Sequence, residues 1–127
     1  IDLGIENRYY YREIPLIDEL DAILRHFTDS NIYYWHDVGH AEAFQRLGLV
    51  RHEELLERFA NRLLGIHLHD IIGPMDDHRA PGCGTFEYAR IARYIRPGTI
   101  RVIEAHAPAT AGELAAAVAL LARAFGP

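Results

Sequence analysis

The sequence predicts a parallel α/β fold. Short apolar or β-branched runs alternate with longer amphipathic stretches, so that a strand is followed by helical sequence four times over. Strands that alternate with helices are normally parallel, because each helix makes the crossover to the next strand. The predicted strand ends recur at spacings of about 30 residues, the size of one βα unit. They are marked by Glu6, Asp37, His67 and Glu104.

The individual elements are predicted from local patterns. Runs rich in β-branched or aromatic residues indicate strands over residues 1–6, 32–35, 63–68 and 100–103. Apolar residues at helical spacing indicate the helices. Pro15 suits the first turn of the first helix, and Gly48 suits the end of the second. The predicted helices cover residues 15–27, 40–47, 52–61, 86–94 and 109–125.

Length and composition limit the possible classes of protein. We expect one domain over residues 1–127, and a chain that is 50% hydrophobic and 24% charged is typical of a globular protein. The net charge of −5, without a Lys/Arg cluster, argues against a nucleic-acid or membrane surface. The single Cys83 excludes an internal disulfide framework. With no transmembrane run and no signal peptide before Ile1, we expect a cytoplasmic protein.

Each predicted strand ends in a side chain that can bind a metal. The carboxyl edge of the sheet is where parallel α/β folds bind their ligands. Three carboxylates and one imidazole suit Mn, Mg or Co and can also take Zn. The candidate ligands are Glu6, Asp37, His67 and Glu104. His67 and Glu104 follow fully apolar runs, where an unpaired charge is costly, and this favours a functional role for both.

Structural explanations remain open for several of these residues. Glu6 could be a solvated strand end, Asp37 could cap the following helix, and His40 could lie on a helix surface. Gly82 and Gly84 are expected to allow a tight turn. Three histidines are expected to support neighbouring groups or to have structural roles: His36, His69 and His106. Asp70 is expected to orient an imidazole or to cap a turn.

Five segments together resemble one known family. They are I-E-N at 5–7, W-H-D-V-G-H-A at 35–41, I-H-L-H-D at 66–70, D-D-H-R-A-P-G-C-G at 76–84 and V-I-E at 102–104. In this order they are similar to the xylose isomerase-like (β/α)8 TIM barrels. That family includes sugar isomerases, sugar phosphate epimerases and endonuclease IV of AP endonuclease family 2. The resemblance spans essentially the whole chain.

The resemblance implies roles by position. It implies a single divalent metal held by Glu6, Asp37, His67 and Glu104. In the epimerases, residues matching Glu6 and Glu104 also form the acid/base pair. The residue matching His40 contacts substrate in the epimerases and, with those matching Asp76 and His78, holds a third zinc in the endonuclease. These residues could therefore bind a second metal or a substrate, and Arg79 is a candidate substrate-binding residue.

The resemblance covers only the second half of the family barrel, strands five to eight. A complete barrel has eight strands in about 250 residues. Four parallel strands alone leave two open edges. We therefore expect that the chain is a fragment, that a second copy completes a barrel as a homo-oligomer, or that the missing N-terminal half-barrel is supplied in another way.

Three functions are consistent with these features. The first is a divalent-metal-dependent isomerase or epimerase of a sugar or sugar phosphate, in which Glu6 and Glu104 move protons beside a carbonyl through a metal-stabilised enediolate. The second is an endonuclease IV-like phosphodiesterase acting on abasic DNA, which His40, Asp76 and His78 favour and the acidic charge opposes. The third is a non-catalytic half-barrel that binds metal or associates through its open edges.

Overall fold

The computed structural model describes residues 1–10, 12–75 and 78–126. These residues form a sheet of four strands, β1 to β4, at Leu3–Glu6, Ile32–Asp37, Leu63–Leu68 and Ile100–Ile103. The strands pair in parallel and in chain order, so β1 and β4 are the edge strands. The predicted parallel α/β fold is confirmed. The first strand begins at Leu3 rather than Ile1, and the second continues to Asp37.

Four α-helices, α1 to α4, accompany the strands in the described part of the chain. They span Ile17–His26, Val38–Arg46, His52–Phe59 and Ala111–Phe125. The last helix begins after Thr110, whose hydroxyl accepts the N–H of Glu113 at 3.2 Å while the Glu113 carboxylate accepts the N–H of Thr110 at 2.7 Å. This capping box satisfies two backbone donors and places the helix start. None of the described helices is long and apolar enough to span a membrane.

The segment predicted as a helix over residues 86–94 forms two short 3-10 helices instead. They span Tyr88–Arg90 and Ala92–Tyr94. Residues three apart share a face of a 3-10 helix, and this spacing turns the buried Tyr88 and Ile91 towards the core. The hydroxyl of Tyr88 donates to the carbonyl of His69 at 3.0 Å, which ties the segment to the end of β3. A further 3-10 helix, Ala60–Arg62, follows α3 and ends the helix predicted over 52–61.

The hydrophobic core lies between one face of the sheet and the helices. From the sheet, Tyr34, Ile66 and Leu68 are almost completely buried. The helices contribute Leu20, Leu24, Leu55, Leu56, Phe59 and Leu121. Because side chains alternate along a strand, burying these residues turns their sequence neighbours to the opposite face.

That opposite face is filled around Trp35, which lies between two glycines. A Cβ atom at Gly65 would lie 2.4 Å from Cζ3 of Trp35, and one at Gly4 would lie 3.0 Å from Cε3. The indole therefore occupies space that side chains on both neighbouring strands would otherwise fill. Two positions further along each strand, on the same face, are three of the predicted ligands: Glu6, Asp37 and His67.

Candidate metal centre

The four predicted ligands lie at the carboxyl edge of the sheet. Glu6 and Asp37 are the last residues of β1 and β2. His67 pairs with Asp37 across β2 and β3, and Glu104 directly follows β4. The ligand atoms of Glu6, Asp37 and His67 all lie within 4.8 Å of one another. The parallel strands thus bring residues that are distant in sequence to one point.

The Nδ1 atom of His67 is the meeting point of the cluster. It lies 2.9 Å from Oε2 of Glu104, 3.4 Å from Oδ2 of Asp37 and 3.8 Å from Oε1 of Glu6. Nδ1 of His67 and Oδ2 of Asp37 are both buried, and in the described part of the chain their close contacts lack hydrogen-bond geometry. Buried polar atoms are normally hydrogen-bonded, so two such atoms facing each other indicate a shared ligand.

The surrounding charges shift three pKa values. Burial disfavours the ionised form of Glu6, but contacts with His40 and His67 outweigh burial and lower its pKa to about 2. The pKa of Asp37 is also lowered, because its contacts with His67 and His69 outweigh the effect of burial. Burial disfavours a charged His67, yet Asp37, Glu6 and Glu104 raise its pKa to about 9. The ionised carboxylates make this edge attractive to a cation.

The two carboxylate oxygens of Asp37 make different contacts. Oδ1 accepts the backbone N–H of His40 at 2.8 Å and lies 2.9 Å from Nε2 of His69. The bond from the N–H of His40 caps α2, which is the structural role considered for Asp37 from the sequence. Oδ2 faces His67 instead. The capping role therefore leaves one oxygen of Asp37 for a metal.

Asn7 holds this carboxylate in place, and the sequence reasoning assigned it no role. Its Nδ2 donates to the carbonyl of Asp37 at 3.0 Å, and its Oδ1 accepts the N–H of Asp37 at 2.8 Å. Its own carbonyl lies 2.9 Å from Nδ1 of His40. The I-E-N segment contained the signal, because a polar amide directly after a strand-end ligand can reach the neighbouring strand.

His40 is buried and contacts the metal cluster. Its side chain is 4% exposed, and its Nδ1 lies 3.2 Å from Oε1 of Glu6. The ring of Tyr9 stacks on it with centroids 4.8 Å apart. The structural explanation of His40 as a surface helix residue is therefore wrong.

Three histidines form a stacked column beside the cluster. The rings of His69 and His78 stack at 4.2 Å, and those of His78 and His106 at 3.9 Å, with nearly parallel planes. His40 meets His69 and His78 edge to face. Nitrogen atoms of His40, His69 and His78 lie within 4.8 Å of one another, as do ligand atoms of His78, Glu104 and His106. His69 thus contacts the predicted ligand Asp37, and His106 lies near the predicted ligand Glu104.

The remaining predicted site residues lie in the loop after β3. Asp76 lies outside the described residues. Arg79 pairs with Asp70 through two backbone hydrogen bonds of 2.7 Å. It also lines a small pocket with Cys83, His106 and Glu113. Arg79 is therefore next to the outer end of the histidine column.

Asp70 organises the turn that follows this loop. Its Oδ1 accepts the N–H groups of Ile71 and Phe86, and its Oδ2 accepts that of Gly82. A Cβ at Gly84 would lie 2.3 Å from Oδ1, so only glycine allows this approach. Of the two roles expected for Asp70, the structure supports turn capping. The two glycines serve the tight turn, as expected.

The residues present at the carboxyl edge fit a divalent cation. The donor set of three carboxylates and one imidazole is the oxygen-rich type that Mn and Mg prefer and that Zn also accepts. Oδ2 of Asp37 and Nδ1 of His67 face each other at 3.4 Å without hydrogen-bond geometry, and this arrangement supports the fit. Hydrogen bonds that surround a ligand commonly orient it, and Asp37 has them: its Oδ1 accepts the N–H of His40, and its backbone exchanges two bonds with the amide of Asn7.

Comparison with known proteins identifies a solved structure with a similar fold. No protein-family model matches the chain, and no curated protein matches its sequence. A solved structure titled "Crystal structure of D-tagatose 3-epimerase-like protein" matches with a TM-score of 0.74 and 20% identity. The match covers 98% of this chain and 47% of that one, so the chain spans about half the length of that structure. The predicted fold class, parallel βα units that form half of a TIM barrel, is confirmed.

Proposed function

We propose that the chain is the metal-binding half of a sugar or sugar phosphate isomerase or epimerase. The observation that carries this proposal is the convergence of three strand-end carboxylates on Nδ1 of His67. The likeness to a structure titled as D-tagatose 3-epimerase-like supports the substrate class. The metal ligands in this proposal are Glu6, Asp37, His67 and Glu104.

The two glutamates are proposed to transfer the protons. A bound divalent cation would supply a Lewis acid for the carbonyl and hydroxyl oxygens of an open-chain sugar. Glu6 is ionised at neutral pH, so its carboxylate can accept a proton from the carbon beside the carbonyl, although a pKa of about 2 makes it a weak base. Glu104 approaches His67 from the opposite edge strand and can return a proton on the other face. His40 contacts Glu6 and holds it in place.

A second group of residues is proposed to bind the rest of the substrate or a second metal. It consists of His40, Asp76, His78 and Arg79. The nitrogen atoms of His40 and His78 lie close to that of His69, and all three are near the first cluster. A guanidinium such as that of Arg79 suits a hydroxyl-rich or phosphorylated substrate.

A second set of four βα units is proposed to complete the barrel. The edge strands β1 and β4 offer backbone groups to further strands. Large apolar side chains are exposed on these strands and on the helix beside β4: Leu3, Ile100, Val102 and Val118. We propose residues 1–127 as one domain that acts as the C-terminal half of such a barrel. Solution mass would distinguish a second copy from a half supplied by another chain.

Proton transfer to the sugar tests the proposed reaction. The chain is loaded with Mn²⁺ and offered ketoses, aldoses and their phosphates in D2O, and deuterium uptake beside the carbonyl is followed by NMR. Glu6→Gln and Glu104→Gln should each lower the rate by at least about 100-fold. Glu87→Gln, at an exposed glutamate, is the matched control and should have no effect. Turnover that survives in both site variants would remove the assignment.

The histidine cluster favours a second candidate, a metal-dependent phosphodiesterase. Three imidazoles with nitrogen atoms within 4.8 Å of one another suit a zinc ion beside the first metal. The net charge of −5 opposes binding to a phosphate backbone. Two or more zinc ions bound per chain, together with nicking of an abasic duplex, would favour this candidate over the first. Bound metal without turnover of a sugar or a nick would favour a non-catalytic half-barrel.

A further inference from the structure

A line of buried polar side chains runs from the metal centre into the helical layer. It begins at Asn7, passes through Tyr34 and His36 of β2, reaches His52 at the start of α3, and ends at Glu42 of α2. All five side chains are buried, and three of them have no exposed surface. The four successive contacts measure 2.9, 2.6, 3.0 and 3.3 Å. We call these five residues the polar relay.

The direction of the hydrogen bonds in the relay is set at its Asn7 end. The amide of Asn7 is oriented by its two bonds to the backbone of Asp37, so its Oδ1 can only accept. The hydroxyl of Tyr34 therefore donates its one proton to Asn7. The Tyr34 oxygen must then accept from Nδ1 of His36.

Counting protons along the relay places one more at its far end. A neutral His36 protonated at Nδ1 offers a lone pair on Nε2, which accepts from Nε2 of His52. Four contacts need four protons, whereas Tyr34 and two neutral histidines supply three. Completing the fourth contact, between Nδ1 of His52 and Oε2 of Glu42, requires one further proton, although the pKa values of both groups are lowered.

Further contacts fix the far end of the relay. The ring of His52 stacks on Phe86 with centroids 4.7 Å apart and planes 14° apart. The other oxygen of Glu42 accepts from Arg46 at 3.3 Å. Arg90 also faces the pair, at 3.7 Å from Glu42, and bonds to Glu53. Each of these contacts holds the two rings and the carboxylate in fixed orientations.

We infer that Tyr34, His36 and His52 are positioning residues for the metal centre. The relay fixes the Asn7 amide, the amide fixes the backbone of Asp37, and Oδ2 of Asp37 is thereby kept facing His67. The inference rests on the proposed function in one respect, the role of Asp37 as a metal ligand. Residues that hold metal ligands by hydrogen bonds commonly change metal affinity when they are replaced.

A double-mutant cycle tests the inference through metal affinity. Mn²⁺ binding is measured by calorimetry for the chain and for Tyr34→Phe, His52→Gln and the double variant. Each single substitution should weaken binding about tenfold, and the double variant should lose little more, because both break the same relay. Tyr33→Phe removes a hydroxyl on the opposite face of the same strand and should leave binding unchanged. Thermal unfolding of each variant separates lost stability from lost affinity.

The possible outcomes distinguish a failure of the relay from a failure of the metal centre. Unchanged affinity in both folded single variants would overturn the relay, as would losses that multiply in the double variant. Failure of the unsubstituted chain to bind Mn²⁺ would instead overturn the proposed metal centre. Nitrogen-15 NMR of the histidine rings needs no metal. It should show His36 protonated at Nδ1, and protonation at Nε2 would overturn the relay even if a single variant fails to fold.

Discussion

The ring of Trp35 meets the ring of His67 edge to face, with centroids 5.1 Å apart and planes at 67°. Trp35 is the single tryptophan of the chain, so its fluorescence reports on one place. That place is the layer beneath the candidate metal centre. A paramagnetic cation held by His67 would be close enough to quench the indole, which gives a direct optical measure of binding.

Replacing Asp37 should weaken the Mn²⁺ binding that this quenching reports. Asp37→Asn keeps the size of the side chain and a cap for α2, but it removes the charge that faces His67. We expect the Mn²⁺ concentration needed for half-maximal quenching of Trp35 to rise by about 100-fold or more. Asp29→Asn, at an exposed turn, is the matched control and should leave the titration unchanged. Equal quenching in both variants would contradict the proposed ligand set.

Metal binding should release a proton and strengthen as pH rises. The free chain holds a proton on His67 because the surrounding carboxylates raise its pKa to about 9. The metal-bound ring must be neutral, so binding displaces that proton at pH 6 to 8. Affinity should therefore rise up to about tenfold per pH unit below pH 9 and level off above it. Calorimetry in two buffers of different ionisation enthalpy would measure about one proton released per metal.

His67→Asn supplies the contrast for this measurement. Without the imidazole, the group that holds the displaced proton is absent, while Glu6 remains ionised down to low pH. Any residual metal binding should then be nearly independent of pH between 6 and 8. A pH dependence as steep as in the unsubstituted chain would show that a different group carries the proton.

Gly65 should be intolerant of even one methyl group. A Cβ at this position would lie 2.4 Å from the indole of Trp35, and both backbones are fixed in the sheet. We expect Gly65→Ala to destabilise the fold by about 1–3 kcal/mol, measured by urea unfolding. Gly112→Ala is the control, because its Cβ would meet only Thr110 Oγ1 at 3.9 Å and alanine favours a helix. A larger loss at Gly112 than at Gly65 would contradict the proposed packing.

Asp70 should matter for stability rather than for metal binding. Its carboxylate accepts three backbone N–H groups and is 1% exposed. Asp70→Ala leaves those donors unpaired, and we expect a loss of about 2–4 kcal/mol in the free energy of unfolding. Asp70→Asn retains one acceptor oxygen and should lose less. An unchanged midpoint in both variants would show that the turn is held by other contacts.

The sequence pattern predicts the sheet well because strand signals here are local. The third and fourth strands have the predicted bounds, since each is a short apolar run between polar residues. The segment over residues 86–94 was predicted less well. Its apolar residues fit either a helix with 3.6 residues per turn or 3-10 turns, and contacts such as that of Tyr88 with His69 decide between them.

The sequence predicts which strand-end residues come together, but not the residues that support them. Glu6, Asp37 and His67 could be chosen because strand ends carry ligands in parallel folds. The roles of Asn7 and His36 depend on which residues of other elements they meet. Such pairings span tens of residues in sequence and leave no local pattern. The polar relay is therefore visible only once β2 and α3 are packed together.

The two edge strands of the sheet differ from each other, so copies of the chain that pair through them assemble in one direction. A copy that places its β1 beside the β4 of another presents a fresh β4 of its own, so the contact is head-to-tail. Repetition of one such contact produces either a ring or an unending fibre. The curvature of the four-stranded sheet, rather than the strength of any single contact, decides whether two copies close into a ring or further copies continue to add.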